Sequence, residues 1–209
     1  MIAPPERSPV RDSAVLALLP RVAEQGWTYA ALRDALRDAG AEPLDAELLF
    51  PGGSADMIEA YADLADRWME QGAGELGLPA LRVPERVRAL IALRLRQNRP
   101  YHEAVRRALA VLALPRHAAL AACCTARTVD AIWHAAGDRS ADSSWYTKRA
   151  ILTGVYGATL LFWLRDVSED DAPTLAFLDR RLQEVARITR LRRRAESAFD
   201  RWRAGHPAA

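Results

Sequence analysis

The chain has only two cysteines among its 209 residues, and they are adjacent, Cys123 and Cys124. Neighbouring positions on a helix point in different directions, so the pair excludes a disulfide framework and indicates a reducing compartment. Long apolar runs are missing too. The longest uncharged stretch, Ala150 to Leu164, is shorter than the roughly 18 residues that a membrane-spanning helix needs, and it predicts a buried helix instead. The N-terminus lacks the charged-then-apolar layout of a signal peptide.

Familiar catalytic patterns are also absent from the sequence. The four histidines are scattered, and no pair of them has the spacing of a zinc site. We find no glycine-rich phosphate loop, dinucleotide fingerprint or nucleophile elbow. The acidic run Glu169–Asp171 is typical of a solvated turn. The sequence therefore predicts no metal, no cofactor and no catalytic site, although a small enzyme acting on an isoprenoid stays an alternative.

What the chain does contain is helix-forming sequence. Ala, Leu and Arg dominate, β-branched residues are few, and no stretch alternates with a period of two. Capping residues, glycines and prolines predict nine helices, with a kink at Pro20. They cover residues 11–24, 29–39, 44–50, 55–71, 85–97, 101–114, 117–136, 143–165 and 173–204. The predicted fold class is an all-α bundle of about nine helices.

The chain divides into four predicted parts. Residues 1–9 are proline-rich and predicted to be disordered. Residues 10–53 form a helix-turn-helix-like part, and 54–188 form a lipid-binding bundle. Residues 189–209 form a basic amphipathic tail.

The first four predicted helices resemble the N-terminal part of TetR-type regulators, whose remaining helices form a ligand-binding bundle. The recognition position would be Leu44–Phe50. Between Thr28 and Ala60, however, seven acidic residues face only Arg33 and Arg37. Because a DNA-binding surface needs basic side chains for the phosphates, we expect scaffold rather than nucleic-acid binding. A ligand-responsive TetR-type regulator remains the alternative.

The helix predicted at 143–165 is apolar nearly all round and must be surrounded by other elements. Gly154 and Gly157 permit close approach of a neighbouring helix or a ligand. A filled core, a dimer interface and a lipid pocket all need the same side chains, so these alternatives stay open. The predicted lipid-binding residues are Leu152, Val155, Tyr156, Leu160 and Trp163.

The stretch from Asp130 to Arg149 is rich in aromatic and acidic residues. Gly137 is predicted to end one helix, as a glycine after a helix C-terminus does. Trp145 and Tyr146 fall in the first turn of the next helix and point about 100° apart. At most one ring can be central to the core, so the other covers it or is offered to a partner.

Several motifs between Gly26 and Val185 carry a family resemblance. They are Gly26-Trp27, Leu49-Phe50-Pro51-Gly52-Gly53, Asp130-x-x-Trp133, Trp145-Tyr146-Thr147-Lys148-Arg149 and Phe177-Leu178-Asp179-Arg180-Arg181. Together they resemble a coenzyme Q biosynthesis accessory protein, the ninth Coq protein family. That family commonly has Phe-Asn before the Trp-Tyr pair, whereas this chain has Ser143-Ser144.

The resemblance implies a TetR-like fold that does not bind DNA, and a homodimer with an apolar lipid pocket in each bundle. It implies that the protein hands an isoprenoid ubiquinone precursor to the membrane-associated demethoxyubiquinone hydroxylase. The family's partner-binding patch maps onto Ile132, Trp145, Tyr146 and Arg149. The predicted function is a non-enzymatic, lipid-binding accessory protein of ubiquinone biosynthesis.

The C-terminal helix changes character along its length. From Asp179 to Arg203 there are nine arginines against four acidic residues. An arginine-rich helix with a narrow aromatic stripe can lie on an anionic membrane surface, although a solvated helix end is the alternative. The predicted membrane-binding residues are Arg192, Arg193, Arg194, Phe199 and Trp202. The predicted location is cytoplasmic, peripheral at the inner face of the bacterial membrane.

Overall fold

The structure is a computed structural model that describes residues 3–138 and 144–205, with side chains described as far as Ile188 except for that of Ser144. This part of the chain forms nine α-helices and no strand, which confirms the predicted all-α bundle. The helices are α1 (Pro9–Gln25), α2 (Tyr29–Asp38), α3 (Ala46–Leu49), α4 (Ser54–Gly72), α5 (Val83–Asn98), α6 (His102–Leu112), α7 (Ala118–Ala135), α8 (Ser144–Trp163) and α9 (Ala172–Gly205).

Helices α1 to α3 form the helix-turn-helix-like part. Ser8 caps α1 and Thr28 caps α2, each by accepting a backbone N–H through its hydroxyl. Pro20 lies inside α1, which continues through it. The third helix is much shorter than the predicted 44–50, because Pro43–Asp45 adopt a 3-10 turn before it.

The turn between α3 and α4 explains one of the sequence motifs. Phe50 is fully buried, and its carbonyl accepts a 2.6 Å hydrogen bond from the Tyr29 hydroxyl. Gly53 has φ of +65°, a conformation that favours glycine, immediately before α4. Arg11 reaches this turn from α1 and lies 4.5 Å above the Phe50 ring. The motif therefore fixes the N-terminal part onto the bundle.

Helices α4 to α9 build the larger bundle, in which α4 packs on α5 and α7, and α8 packs on α7 and α9. Fully buried side chains at its centre include Met57, Leu90 and Ile91. Within the described residues, no single helix is long and apolar enough to cross a membrane. The segments Val83–Leu112 and Pro115–Ala135 pass by length and composition only when taken together, and they are bent by 99° at the break.

The segment before α1 contacts this bundle. Arg7 donates two hydrogen bonds to the Asp63 carboxylate, at 2.9 and 2.6 Å, and Arg127 donates one to the Ala3 carbonyl at 3.0 Å. Asp63 also accepts from Arg67 at 3.0 Å. Although residues 1–9 are predicted to be disordered, these contacts hold residues 3–8 against α4 and α7, and Pro9 already belongs to α1.

Candidate functional site

A cavity of about 330 Å³ lies between helices α4, α5, α6, α7 and α8. Its volume falls at the lower end of the roughly 300–1,000 Å³ that small-molecule sites occupy. The walls are mostly apolar, with Ile58 on α4, Leu95 on α5, and Val105 and Leu109 on α6. Such walls suit an apolar ligand because its burial releases water from both surfaces.

The inner end of this cavity is polar. Tyr61, Arg94, Asn98, Thr128 and Tyr156 line it, and each is at least 94% buried. The Tyr61 hydroxyl donates to the Asn98 side-chain oxygen, and Asn98 Nδ2 donates to the Arg94 carbonyl at 2.6 Å. Burial raises the pKa of both tyrosines, so their hydroxyl groups stay protonated.

A buried ion pair stands behind this polar end. Arg94 Nε lies 2.8 Å from Asp66 Oδ1, although not in the geometry of a hydrogen bond. Thr128 donates to the other Asp66 oxygen at 3.0 Å. Burial raises the pKa of Asp66 to about 6, while Arg94 and the Thr128 hydrogen bond oppose that rise. The pair therefore combines a strong attraction with a large desolvation cost.

The predicted lipid-binding residues of α8 divide between three environments. Tyr156 and Leu160 line the cavity. Leu152 and Val155 instead line a second apolar groove, of about 360 Å³, between α5, α7, α8 and α9. Trp163 is 1% exposed, packs on His102 and donates from its indole N–H to Asp171 at 3.2 Å. It is a core residue that lines neither the cavity nor the second groove, so its binding to a lipid stays a prediction.

A Cβ atom built at Gly154 or Gly157 meets no other atom of the described residues within 4 Å. Among those residues, neither glycine is therefore in close contact with a neighbouring helix.

The predicted partner-binding residues Trp145, Tyr146 and Arg149 lie together at the start of α8, and we call them the docking surface. The Trp145 and Tyr146 rings meet edge to face at 4.8 Å. Arg149 lies 3.8 Å over the Trp145 ring and is held from the other side by Asp130. Trp145 is half-buried, whereas Tyr146 is 74% exposed. The cation–π contact and the ion pair fix the surface on two helices.

The end of α7 positions that surface. Gly137 has φ of +81°. The Gly137 and Asp138 N–H groups donate back to the carbonyls of His134 and Trp133, each at 3.0 Å, in the arrangement of a Schellman motif. This confirms the predicted helix end. Lys148 of α8 then reaches back across the break to Asp138 at 2.9 Å.

Ile132, unlike Tyr146, is not exposed. Its side chain is fully buried in the core, so it has no surface to offer a partner. Ile132 belongs to the core, because it falls on the inward face of α7, and it is not one of the residues of the docking surface.

A charged groove of about 520 Å³ adjoins the docking surface. Arg7, Arg67, Asp130, Trp145 and Arg149 line it, and so does Asp66. Several of these charges are paired with Asp63, another residue of the groove, as in its contacts with Arg67 at 3.0 Å and with Arg7 at 2.6 Å.

The remaining predictions concern the membrane-binding residues and a metal site. The predicted membrane-binding residues Arg192, Arg193, Arg194, Phe199 and Trp202 belong to the backbone of α9, but their side chains lie outside those described. Among the residues that are described, no group of three or more His, Cys, Asp or Glu side chains is arranged to hold a metal ion.

Sequence reasoning missed the polar end of the cavity. The signal was available on α5, where Val87, Leu90, Ile91 and Leu95 form the apolar face. Arg94 falls seven residues after Val87 and four after Leu90, and thus on that face. A charged residue at such a position predicts a buried ionic partner.

The fold and cavity together define the class as TetR-like helical proteins. A solved structure, the TetR transcriptional regulator from Nitrosomonas europaea, superposes with a TM-score of 0.69 and 26% sequence identity. The match covers 86% of this chain and 99% of the regulator.

Within that class, the sequence points to one family. A family model described as COQ9 matches residues 118–189, which include the docking surface and all of α8. The ubiquinone biosynthesis protein COQ9 of Xenopus tropicalis is 34% identical over 83% of this chain, and that of Homo sapiens is 31% identical over 81%. The chain is thus related to the COQ9 proteins, which confirms the predicted resemblance. It spans 56% and 55% of the lengths of these two relatives.

The predicted location is corrected by the names of the relatives. Both relatives are named as mitochondrial proteins, and both come from eukaryotes. The predicted location, cytoplasmic and peripheral at the inner face of a bacterial membrane, is therefore wrong.

Proposed function

We propose that this protein is a lipid-binding accessory protein of ubiquinone biosynthesis. It binds an isoprenoid quinone precursor and presents it to the demethoxyubiquinone hydroxylase. The protein performs no chemistry itself. The observation that carries the proposal is the apolar cavity between α4 and α8, in a chain related to proteins named for ubiquinone biosynthesis.

The shape of the cavity supports a lipid ligand. Leucines from α6 and α8 lie toward the outside, and Leu161 is 61% exposed. A prenyl chain can therefore enter between these helices and exchange water-exposed apolar surface for burial, at roughly 25 cal/mol per Å².

The docking surface supports a protein partner. Tyr146 is a large aromatic side chain held in the open beside a half-buried Trp145 and a cation, Arg149. Trp, Tyr and Arg are the residue types that contribute most to binding at protein interfaces. The surface starts the helix that lines the cavity through Tyr156 and Leu160, so a partner bound there lies near the lipid.

Two further partners belong to the proposal. The basic end of α9, including Arg192, Arg193 and Arg194, holds the protein at an anionic membrane surface. A second copy of the chain packs on the outward face of α8, where Ala150 and Gly154 are exposed. Small residues on an outward helix face permit two helices to approach closely.

A TetR-type transcription regulator is less well supported, although the fold is shared. At the recognition position the exposed side chains are Leu44, Asp45 and Leu48, and Glu47 pairs with Arg33. Two leucines and a carboxylate offer DNA phosphates no cation, and the carboxylate repels them.

The test is native mass spectrometry of the purified protein after incubation with a lipid extract that contains prenylated quinones and phenols. We expect one isoprenoid per chain. The matched control is Ala108→Phe, which fills the cavity from the buried face of α6. A wild-type protein that carries no lipid, or a variant that carries as much as the wild type, contradicts the proposal.

A further inference from the structure

The cavity has two chemically different ends. Toward the outside it is lined by Leu109, Leu112 and Leu161, of which the first two are half-buried and the third is exposed. At the inner end it is lined by the buried polar groups of Tyr61, Arg94, Asn98, Thr128 and Tyr156. A uniform hydrocarbon ligand has no use for the polar end, because buried polar groups that contact only hydrocarbon lose the hydrogen bonds they could make to water.

Most polar groups at the inner end already have partners, but the Tyr156 hydroxyl has none, and the Nη2 group of Arg94 makes only long hydrogen bonds. Asn98 uses both its oxygen and its nitrogen in bonds to Tyr61 and to the backbone. Tyr156 is 94% buried, and among the described residues no hydrogen-bond partner is found for its hydroxyl. Arg94 Nε lies 2.8 Å from Asp66, whereas Nη2 reaches the Ala62 carbonyl at 3.4 Å and Thr128 at 3.5 Å.

The net charge at the inner end of the cavity determines which polar group of a ligand can bind there. Arg94 is neutralised by Asp66 at 2.8 Å. A phosphate or carboxylate would therefore meet the Arg94–Asp66 pair without a net positive charge to offset its desolvation. A neutral hydroxyl or carbonyl oxygen, in contrast, can accept from Tyr156 and Arg94 at a much smaller desolvation cost.

We infer that the lipid is bound with its ring at the inner end of the cavity. A neutral ring that bears a hydroxyl or carbonyl oxygen lies against Tyr156 and Arg94, and the prenyl chain runs outward past Leu109 and Leu112. This inference rests on the proposed function and adds to it the orientation of the ligand: the ring is shielded inside the bundle while the lipid is carried.

The test measures the binding of two probes that differ by one group. Geranylphenol has the ring hydroxyl, and geranylbenzene lacks it. Isothermal titration calorimetry is performed on the full chain, on Tyr156→Phe, and on the matched control Tyr101→Phe. Tyr101 stacks on Trp68 outside the cavity, so its substitution removes the same atom elsewhere.

We expect Tyr156→Phe to weaken geranylphenol about five-fold, as the loss of one neutral hydrogen bond does. Geranylbenzene should bind the variant within two-fold of the wild type, and Tyr101→Phe should change neither probe. If both probes bind and Tyr156→Phe weakens neither or both alike, the ring does not reach the inner end and the inference is overturned while the lipid-binding function stands. If neither probe binds the wild-type chain, the lipid-binding function fails and the inference fails with it.

Discussion

Asp66 and Arg94 form one buried ion pair whose two members face different spaces. Arg94 lines the apolar cavity, whereas Asp66 lines the charged groove beside the docking surface. The pair is therefore part of the wall between the cavity and the charged groove.

The first prediction concerns pH. The pKa of Asp66 in the folded protein is about 6, above its ordinary value near 4, because the group is buried. The folded state therefore holds a proton that the unfolded state has lost between about pH 4 and pH 6. The stability that Asp66 contributes is present at low pH and is lost as the pH rises through 6.

Urea unfolding of the wild type and of Asp66→Asn across this range checks the sign. The wild-type free energy of unfolding, minus that of the variant, should fall by about 2–3 kcal/mol between pH 4 and pH 7. A difference that grows with pH would show that attraction to Arg94 outweighs burial.

The second prediction concerns the docking surface. Replacing Tyr146 by Ala should weaken binding of the hydroxylase at least ten-fold, because an exposed aromatic anchor contributes about 2 kcal/mol or more at an interface. Tyr146 is largely exposed and makes its ring contact with Trp145 alone among described side chains, so the fold should be preserved. Surface plasmon resonance with immobilised hydroxylase gives the affinity.

Thr147 supplies the control for that experiment. It is exposed and adjacent, so Thr147→Ala tests whether any change in the first turn of α8 disturbs binding. Equal affinities of Tyr146→Ala and Thr147→Ala would place the partner elsewhere on the protein.

The third prediction concerns the proposed homodimer. A Cβ at Gly154 meets nothing within 4 Å among the described residues, so Gly154→Gln should leave the monomer fold intact. A second α8 packed on that face would be pushed away by the longer side chain. Sedimentation velocity should therefore show a dimer for the wild type and a monomer for the variant.

Gly154→Ala gives a complementary readout of the same face. In a monomer it should stabilise the helix by about 1 kcal/mol, since Gly is the poorer helix former. A wild type that sediments as a monomer, together with such stabilisation, would reject the dimer on this face.

The fourth prediction concerns the end of α7. Gly137 has φ of +81°, and a Cβ there would lie 3.3 Å from an Arg86 guanidinium nitrogen. Gly137→Ala should therefore lower the free energy of unfolding by about 1–2 kcal/mol. Gly74→Ala, where the Cβ meets nothing and φ is not positive, should cost much less. Equal losses in thermal melts would mean that backbone strain at Gly137 is unimportant.

The sequence predicts most of the helices because apolar spacing and caps are local signals. The predicted helices 29–39 and 55–71 lie within one residue of α2 and α4, and Gly137 follows the end of α7 as its pattern indicates. The length of α3 is missed, since Pro43–Asp45 prefer a tighter turn over a continuous helix.

The candidate site is harder to predict, because its residues come from five helices. Leu152, Tyr156 and Leu160 are spaced by four residues and share a face of α8. Tyr156 and Leu160 line the cavity, whereas Leu152 lines the second groove, because this face turns gradually along the helix. Ile132 illustrates the same limit: a family motif locates the neighbourhood of a surface, whereas burial of each side chain depends on how α7 packs against the other helices.

Helix α6 bears on how fast a ligand could leave the cavity. It is flanked by two 3-10 turns, Arg99–Tyr101 and Pro115–His117, and each contains a proline that lacks the N–H needed to continue a helical ladder. Between them, α6 contributes Val105, Ala108 and Leu109 to the cavity wall. A helix bounded by two such turns can open as a unit, and the lipid proposed for the cavity would then leave at the opening rate of one short helix.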